Sequence, residues 1–423
     1  RDLVRSRGLG DVYKRQLYAL RDVAGIPTHP VVFLILGVVT FALHIAAVQI
    51  MLGASGLTLW GAFSKDFKHR RLAQSMVMVS KVMLSVAIVI GVAPLLFVQV
   101  TYDPFWYTSN VLSAWWVIGF LVFLTLGSLL WFFFNAKNHH MVSEKTFCPG
   151  SAVLAVMLLL LVGFIMHVLS VQMLSPEKWM AWYAPNGVID ASGRGIHEFN
   201  AARFLFFISL SVPVIGAVLV AYRRYYMPRL ADKSLEMTQA YLDWVGSLGQ
   251  NLIAIGGVLS VVIGAWWMMT LPVNQAAFAL SPWVFLSLAL LLAFVAFAFW
   301  VRMGKMDTLW AYAVLPVGAV AIIMVAAARE ILRYHVLMGA HGYDVFTYPI
   351  NMDWYSTIMF FATFLIVGGG VLAYMLTVAW KAGQTVGVYT PGPIISRMGD
   401  IGIALIALWI VQFFAIGFYV WLS

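Results

Sequence analysis

Ten stretches of this chain are each apolar over roughly the length a helix needs to cross a bilayer, about 20 residues. They cover 31–58, 74–100, 111–134, 151–174, 204–222, 242–271, 282–301, 309–328, 355–379 and 398–422. In hydrocarbon every backbone N–H and C=O must be satisfied within the segment, so such runs become helices. The expected fold is therefore an all-α polytopic membrane protein. It reads as a first four-helix transmembrane bundle over 17–202, a second over 203–354, and two C-terminal transmembrane helices over 355–423. The chain is 62% hydrophobic and only 10% charged, against about 25% charged in soluble domains. That balance excludes a soluble enzyme, a disordered chain and a nucleic-acid binder. A single cysteine, Cys148, excludes an internal disulfide framework and the two-cysteine attachment site of a covalent haem.

Residues 1–16 stand apart. They hold five basic residues, two acids and no apolar run, and from Ser6 to Gln16 they read like the translated end of a sequencing adapter. This segment is set aside from the reading of the fold.

The connections alternate in charge. Those after the first, third, fifth, seventh and ninth runs carry Lys65, Lys68, Arg70, Arg71, Lys137, Lys145, Arg223, Arg224, Arg229, Lys233, Arg302, Lys305, Lys381 and Arg397, which is 14 basic residues. The opposite side carries six: Arg21, Lys178, Arg194, Arg203, Arg329 and Arg333. The positive-inside rule then places both termini outside. The two long outer connections, 175–203 and 329–354, are rich in aromatics, with Trp179, Trp182, Tyr183, Tyr343, Tyr348 and Trp354. Such residues form either an interfacial belt or a docking surface for an outer partner.

Chemistry inside the membrane rests on histidines. Of nine, only His44 and His167 lie well within apolar runs. A buried neutral histidine bonded to a neighbouring helix is one reading; axial ligation of haem iron is the other. His44 lies 13 residues into its run, or ~20 Å at 1.5 Å per residue, and His167 seven residues from the end of its run, or ~11 Å. The two can serve one cofactor or neighbouring cofactors in the outer half of a bundle, although periodicity does not say that they face each other. Lys81 is the other ionisable residue within a run, placed to snorkel. None of the 15 carboxylates outside 1–16 is expected at mid-membrane, so a buried acid relay is missing. No phosphate-binding loop, metal cluster or nucleophile elbow is present. Gly368, Gly369 and Gly370 suit close helix packing or a kink.

At these residues the chain resembles subunit I of cytochrome bd ubiquinol oxidase, in its short, divergent members. The first run carries His44-x-x-x-Val48-x-x-x-Leu52-Gly53, similar to the family's first-helix histidine motif. The second carries Gly91-Val92, then Phe97-x-Gln99 and Trp106-Tyr107-x-Ser109. The stretch from Met173 to Trp179, followed by Phe199-Asn200-x-x-Arg203, looks like the family's connection from helix 4 to helix 5. Arg329-Glu330 and Asp353-Trp354-Tyr355-Ser356 resemble the Gly-Arg-Gln-Pro-Trp region and the helix after it. Only His44 matches a family cofactor ligand. The family's helix 5 histidine falls at Phe206, its helix 3 glutamate has no counterpart in 111–134, and alanines at 326–328 stand where a further glutamate belongs. The quinol loop is reduced to 272–281, and His167 matches no family ligand position.

The resemblance implies a multi-pass protein of the bacterial inner membrane that binds haem b and exchanges electrons between quinol and an outer cytochrome or other respiratory subunit. His44 and His167 are the candidate haem-iron ligands, and Gln99, Trp179, Arg329 and Glu330 the candidate residues on the quinol or partner side. Oxygen reduction is not expected of the chain itself. A haem-free membrane anchor of a respiratory complex is the alternative; a transporter, suggested only by ten spans, is a third.

Overall fold

The computed structural model describes residues 18–230, 237–273, 275–385 and 388–422; the adapter-like string at 1–16 and Lys233 lie outside the described residues. Among the described residues there is no strand, and ten helices are long and apolar enough to cross a membrane. They are α1 (Pro30–Ala62), α2 (Phe67–Thr101), α3 (Ala114–Lys137), α4 (Pro149–Gln172), α5 (Ala201–Arg229), α6 (Gln239–Met269), α7 (Pro282–Arg302), α8 (Trp310–Ala340), α9 (Trp354–Ala382) and α10 (Pro393–Leu422). The protein is an all-α polytopic membrane protein.

Local chemistry explains where these helices start. Proline opens α1, α4, α7 and α10, where its missing N–H costs nothing. Side-chain caps open others: Asp66 accepts from the Lys68 N–H at 2.7 Å, Asn200 from the Arg203 N–H at 2.9 Å and Thr238 from the Tyr241 N–H at 3.2 Å. Each cap satisfies a donor left without an intrahelical partner.

The chain divides into two compact units. Of the described residues, the first holds 18–23, 30–230, 237–273 and 275–347, and so contains α1 to α8. Within it α1 lies along α2 and α3 along α4, whereas contact between these two hairpins is sparse. Helices α5 to α8 pack in sequence, α8 closes back on α5, and α1 touches both α5 and α8. Three apolar clusters follow this arrangement. One joins α1 to α4 around Trp131 and Phe134. A second joins α1, α2, α5 and α6 around Leu72 and Leu219. The third joins α5 to α8 around Phe294 and Val314. Between α5 and α6 the backbones themselves meet. A Cβ on Gly216 would stand 2.6 Å from the Gly249 carbonyl oxygen, and one on Gly249 would stand 2.7 Å from that of Gly216. Only glycine allows this approach, a common basis of helix association in lipid.

Of the described residues, the second unit holds 24–29, 348–385 and 388–422. Its helices α9 and α10 pack on each other, and Trp409 donates to the Thr363 hydroxyl at 2.9 Å. A short extended pairing joins Ile26 to Ile350, with the Ile26 N–H on the Pro349 carbonyl and the Asn351 N–H on the Ile26 carbonyl, both at 2.9 Å.

The helix ends differ from the apolar runs in one place that matters. The eighth run stops at 328, yet α8 continues to Ala340, ending in a π-helical turn over Val336–Ala340. Arg329, Glu330 and Arg333 therefore belong to a helix and not to the connection 329–354. Arginine, glutamate and leucine are good helix formers, so the charges end the hydropathy signal without ending the helix. The same holds for Arg203, inside the first turn of α5.

Candidate functional site

A cavity of about 480 Å³ lies inside the first unit. It fills the space left between the α1–α2 and α3–α4 hairpins, and α5 and α8 close it. Its size falls in the range of small-molecule and cofactor sites. Most of its wall is apolar, including Phe41, Leu95, Val98, Phe120, Leu124 and Phe207. The polar exceptions are fewer: His44, Gln49, His167 and the charged Arg203, Arg329, Glu330 and Arg333, with the hydroxyls of Thr101, Tyr102 and Ser170.

Both candidate histidines line this cavity, but their imidazoles are held differently. His44 Nδ1 lies 3.0 Å from the carbonyl oxygen of Ala87 on α2. A carbonyl only accepts, so Nδ1 carries the proton and Nε2 keeps its lone pair. Among the described residues no other hydrogen bond to this ring occurs. A ring oriented by one nitrogen through a backbone carbonyl is the usual arrangement of a metal-ligating histidine. Gly91 makes room for it, since a Cβ there would sit 2.8 Å from His44 Cε1 and Nδ1. His167 is tied down by the opposite nitrogen. Its Nε2 accepts the backbone N–H of Asn200 at 3.1 Å, which puts the proton on Nδ1. The rings of Phe164 and Phe204 flank it at 6.3 and 5.5 Å. His167 thus couples the end of α4 to the cap of α5.

The charged residues gather where α8 and the first turn of α5 meet the cavity. Arg333 Nη1 lies 2.8 Å from Glu330 Oε2, and Arg329 Nη1 lies 4.0 Å from the same oxygen. Arg329 also stacks over Phe41, 3.9 Å from the ring centre. The guanidinium of Arg203 is 5.8 Å from the Trp267 ring, and its Nε has no hydrogen-bond partner among the described residues. Glu330 lies inside α8 and on the cavity wall, although the apolar run ends before it. It sits ten residues before the end of α8, ~15 Å along the axis. On the same wall, Gln49 donates to the Phe207 carbonyl at 2.6 Å while its Oε1 has no hydrogen-bond partner among the described residues.

Four residues expected on the quinol or partner side separate. Arg329 and Glu330 line the cavity. Gln99 is half-buried and outside it. Trp179 is turned inward, with its indole N–H on the Gln172 carbonyl at 3.1 Å and its ring edge-on to Phe105. Other aromatics of the two long connections also turn inward. Tyr343 is buried against Tyr18 and Phe105, and Trp182 stacks on His197. Phe206 is buried between Phe207 and Trp267.

In the sequence Arg333 reads only as orientation charge, Arg203 as orientation charge and as part of the Phe199-Asn200-x-x-Arg203 stretch, and Gln49 does not stand out. A signal for the arginines existed: Arg329, Glu330 and Arg333 share one face at i, i+1 and i+4 spacing, followed by apolar Val336 and Leu337. Among the described residues no group of three or more His, Cys, Asp or Glu side chains could hold a metal ion. No family model, curated protein or solved structure matches the chain.

Proposed function

We propose that this chain is a membrane electron-transfer subunit of the cytochrome bd subunit I type. It holds haem b through His44, sits in the bacterial inner membrane with both termini outside, and passes electrons between quinol and an outer cytochrome partner. The observation that carries this reading is the His44 imidazole. It lies on an apolar cavity in a membrane-spanning helix, is oriented through Nδ1 by the Ala87 carbonyl, and keeps Nε2 free. That donor fits a haem axial ligand. His167 does not fit as well, because Nε2 is already bonded to the Asn200 N–H; it serves the group by closing the cavity wall. When bound, haem supplies one-electron chemistry. The protein's own part is to seat the ring, orient the ligand nitrogen and exclude water.

The test is the visible spectrum of the purified, dithionite-reduced protein with a pyridine-haemochrome count. A b-type α-band is expected, and it should be lost in His44→Ala while the variant remains in the membrane. An unchanged band in that variant would make His44 a structural histidine.

One observation favours the haem-free anchor as a second reading. The cavity offers a single free imidazole, and the place of a second family histidine is filled by Phe206. A purified protein without haem, still bound to respiratory subunits, would establish that reading.

A further inference from the structure

The cavity wall carries more positive charge than its neighbours compensate. Three guanidiniums, from Arg203, Arg329 and Arg333, face one carboxylate, Glu330. That carboxylate is committed to Arg333 at 2.8 Å and stands only within 4.0 Å of Arg329. The nearby Asp103 is engaged elsewhere, accepting from the Asp22 N–H at 3.0 Å and lying 3.3 Å from the Tyr343 hydroxyl. Arg203 is 7% exposed and its Nε is unpartnered among the described residues. A guanidinium does not shed its proton, and a buried charge without a counter-ion is strongly unfavourable. Aromatic faces at 3.9 and 5.8 Å offset part of that cost for Arg329 and Arg203. They do not supply the acceptor oxygens that a planar fork of donors requires.

We infer that this end of the cavity is an anion-binding site, in which Arg203, Arg329 and Arg333 hold the acidic head of an amphiphilic ligand. The apolar body of that ligand fills the remaining wall, toward His44 and Phe120. Arg203 is the anchor, because it is buried and its Nε has no hydrogen-bond partner among the described residues. Two sources offer this chemistry: the paired carboxylates of a porphyrin and the head of an anionic phospholipid. Sparse contact between the two hairpins that bound the cavity gives either one a route from the bilayer. The porphyrin source rests on the haem reading above, and the lipid source does not.

The full chain in zwitterionic nanodiscs tests the site in two arms. In the first, it is titrated with haem b and with the dimethyl ester of haem b, which lacks both charges. Haem should bind about thirtyfold or more tightly than the ester, as expected for a buried charge pair. Arg203→Gln should abolish that preference and leave the ester's affinity unchanged, and Arg203→Lys should restore part of it. In the second arm, phosphatidylglycerol and phosphatidylcholine retained by wild type and Arg203→Gln are compared by native mass spectrometry. Preferential retention of phosphatidylglycerol that Arg203→Gln removes would assign the site to a lipid, even if haem does not bind at all. That last result alone would overturn the haem reading while leaving the anion site standing. Equal affinity for acid and ester, with no charge preference among lipids, would overturn the anion site. So would preferences that survive in Arg203→Gln.

Discussion

At the scale of single residues, what separates the two membrane histidines is which ring nitrogen each has free. His167 is buried and aromatic-flanked, His44 is half-buried and glycine-flanked, and both line the same cavity. The carbonyl of Ala87 leaves His44 with a free Nε2, and the N–H of Asn200 takes that atom from His167. Gly91 is part of this distinction. Adding a methyl there places carbon 2.8 Å from the His44 ring, so Gly91→Ala should rotate the imidazole off Ala87. The expected cost is about 1–3 kcal/mol for overpacking, read as a lower melting temperature, with weaker retention of any haem. A variant that melts like wild type would mean that the ring can move freely. A second residue, His341, sits beyond the end of α8, and burial holds its imidazole below the ordinary value while Glu177 at 3.5 Å pulls the other way. A depressed histidine favours the neutral ring in the folded protein. Its contribution is therefore complete above about pH 6.5 and declines as pH falls below that value. Melting at pH 7.5 and 5.5 should show a smaller acid loss in His341→Gln than in wild type; identical losses would remove His341 from the account.

At the scale of elements, α5 and α8 do most to define the site. Both extend past their apolar runs by a turn or more, and those extra turns carry Arg203, Arg329, Glu330 and Arg333 into the wall. Helix α5 is also interrupted at Leu210, close to Pro213, which cannot donate to the preceding turn. The close contact of α5 with α6 sets where Arg203 stands. Gly249→Leu should therefore be severe, since even its Cβ would meet the Gly216 carbonyl oxygen at 2.7 Å and the Leu219 Cβ at 2.9 Å. The expected result is loss of the folded monomer in detergent, seen by size-exclusion fluorescence. Normal behaviour of that variant would show that the two helices can separate without consequence. By contrast, Gly369→Ala in α9, where among the described residues a Cβ would meet only the Phe364 oxygen at 3.8 Å, should leave ligand binding unchanged.

At the scale of the whole molecule, topology and chemistry give separate tests. Reporter fusions after Arg71 and after Ser423 should read inside and outside respectively, following the 14 to six basic asymmetry; the same reading at both points would refute the orientation. The purified chain loaded with haem should not consume oxygen with reduced quinol. The one carboxylate on the cavity, Glu330, is paired with Arg333 at 2.8 Å, and proton delivery to an oxygen-reducing centre calls for acids free to cycle. Oxygen uptake at tens of turnovers per second, typical of an enzyme, would disprove this.

The number of spans, their helical nature and the two histidines at membrane depth were all legible in the chain of residues. Hydrocarbon imposes one rule on every spanning segment, and that rule acts through local composition. The tertiary structure decided which side chains share a cavity, because two hairpins that pack loosely leave a space that no periodicity records. It also decided that Arg329, Glu330 and Arg333 belong to a helix wall. Hydropathy ends where charge begins, whereas a helix ends only where its hydrogen bonds do. The difference between His44 and His167 was likewise settled by backbone groups 43 and 33 residues away along the chain, a distance at which only folding brings partners together.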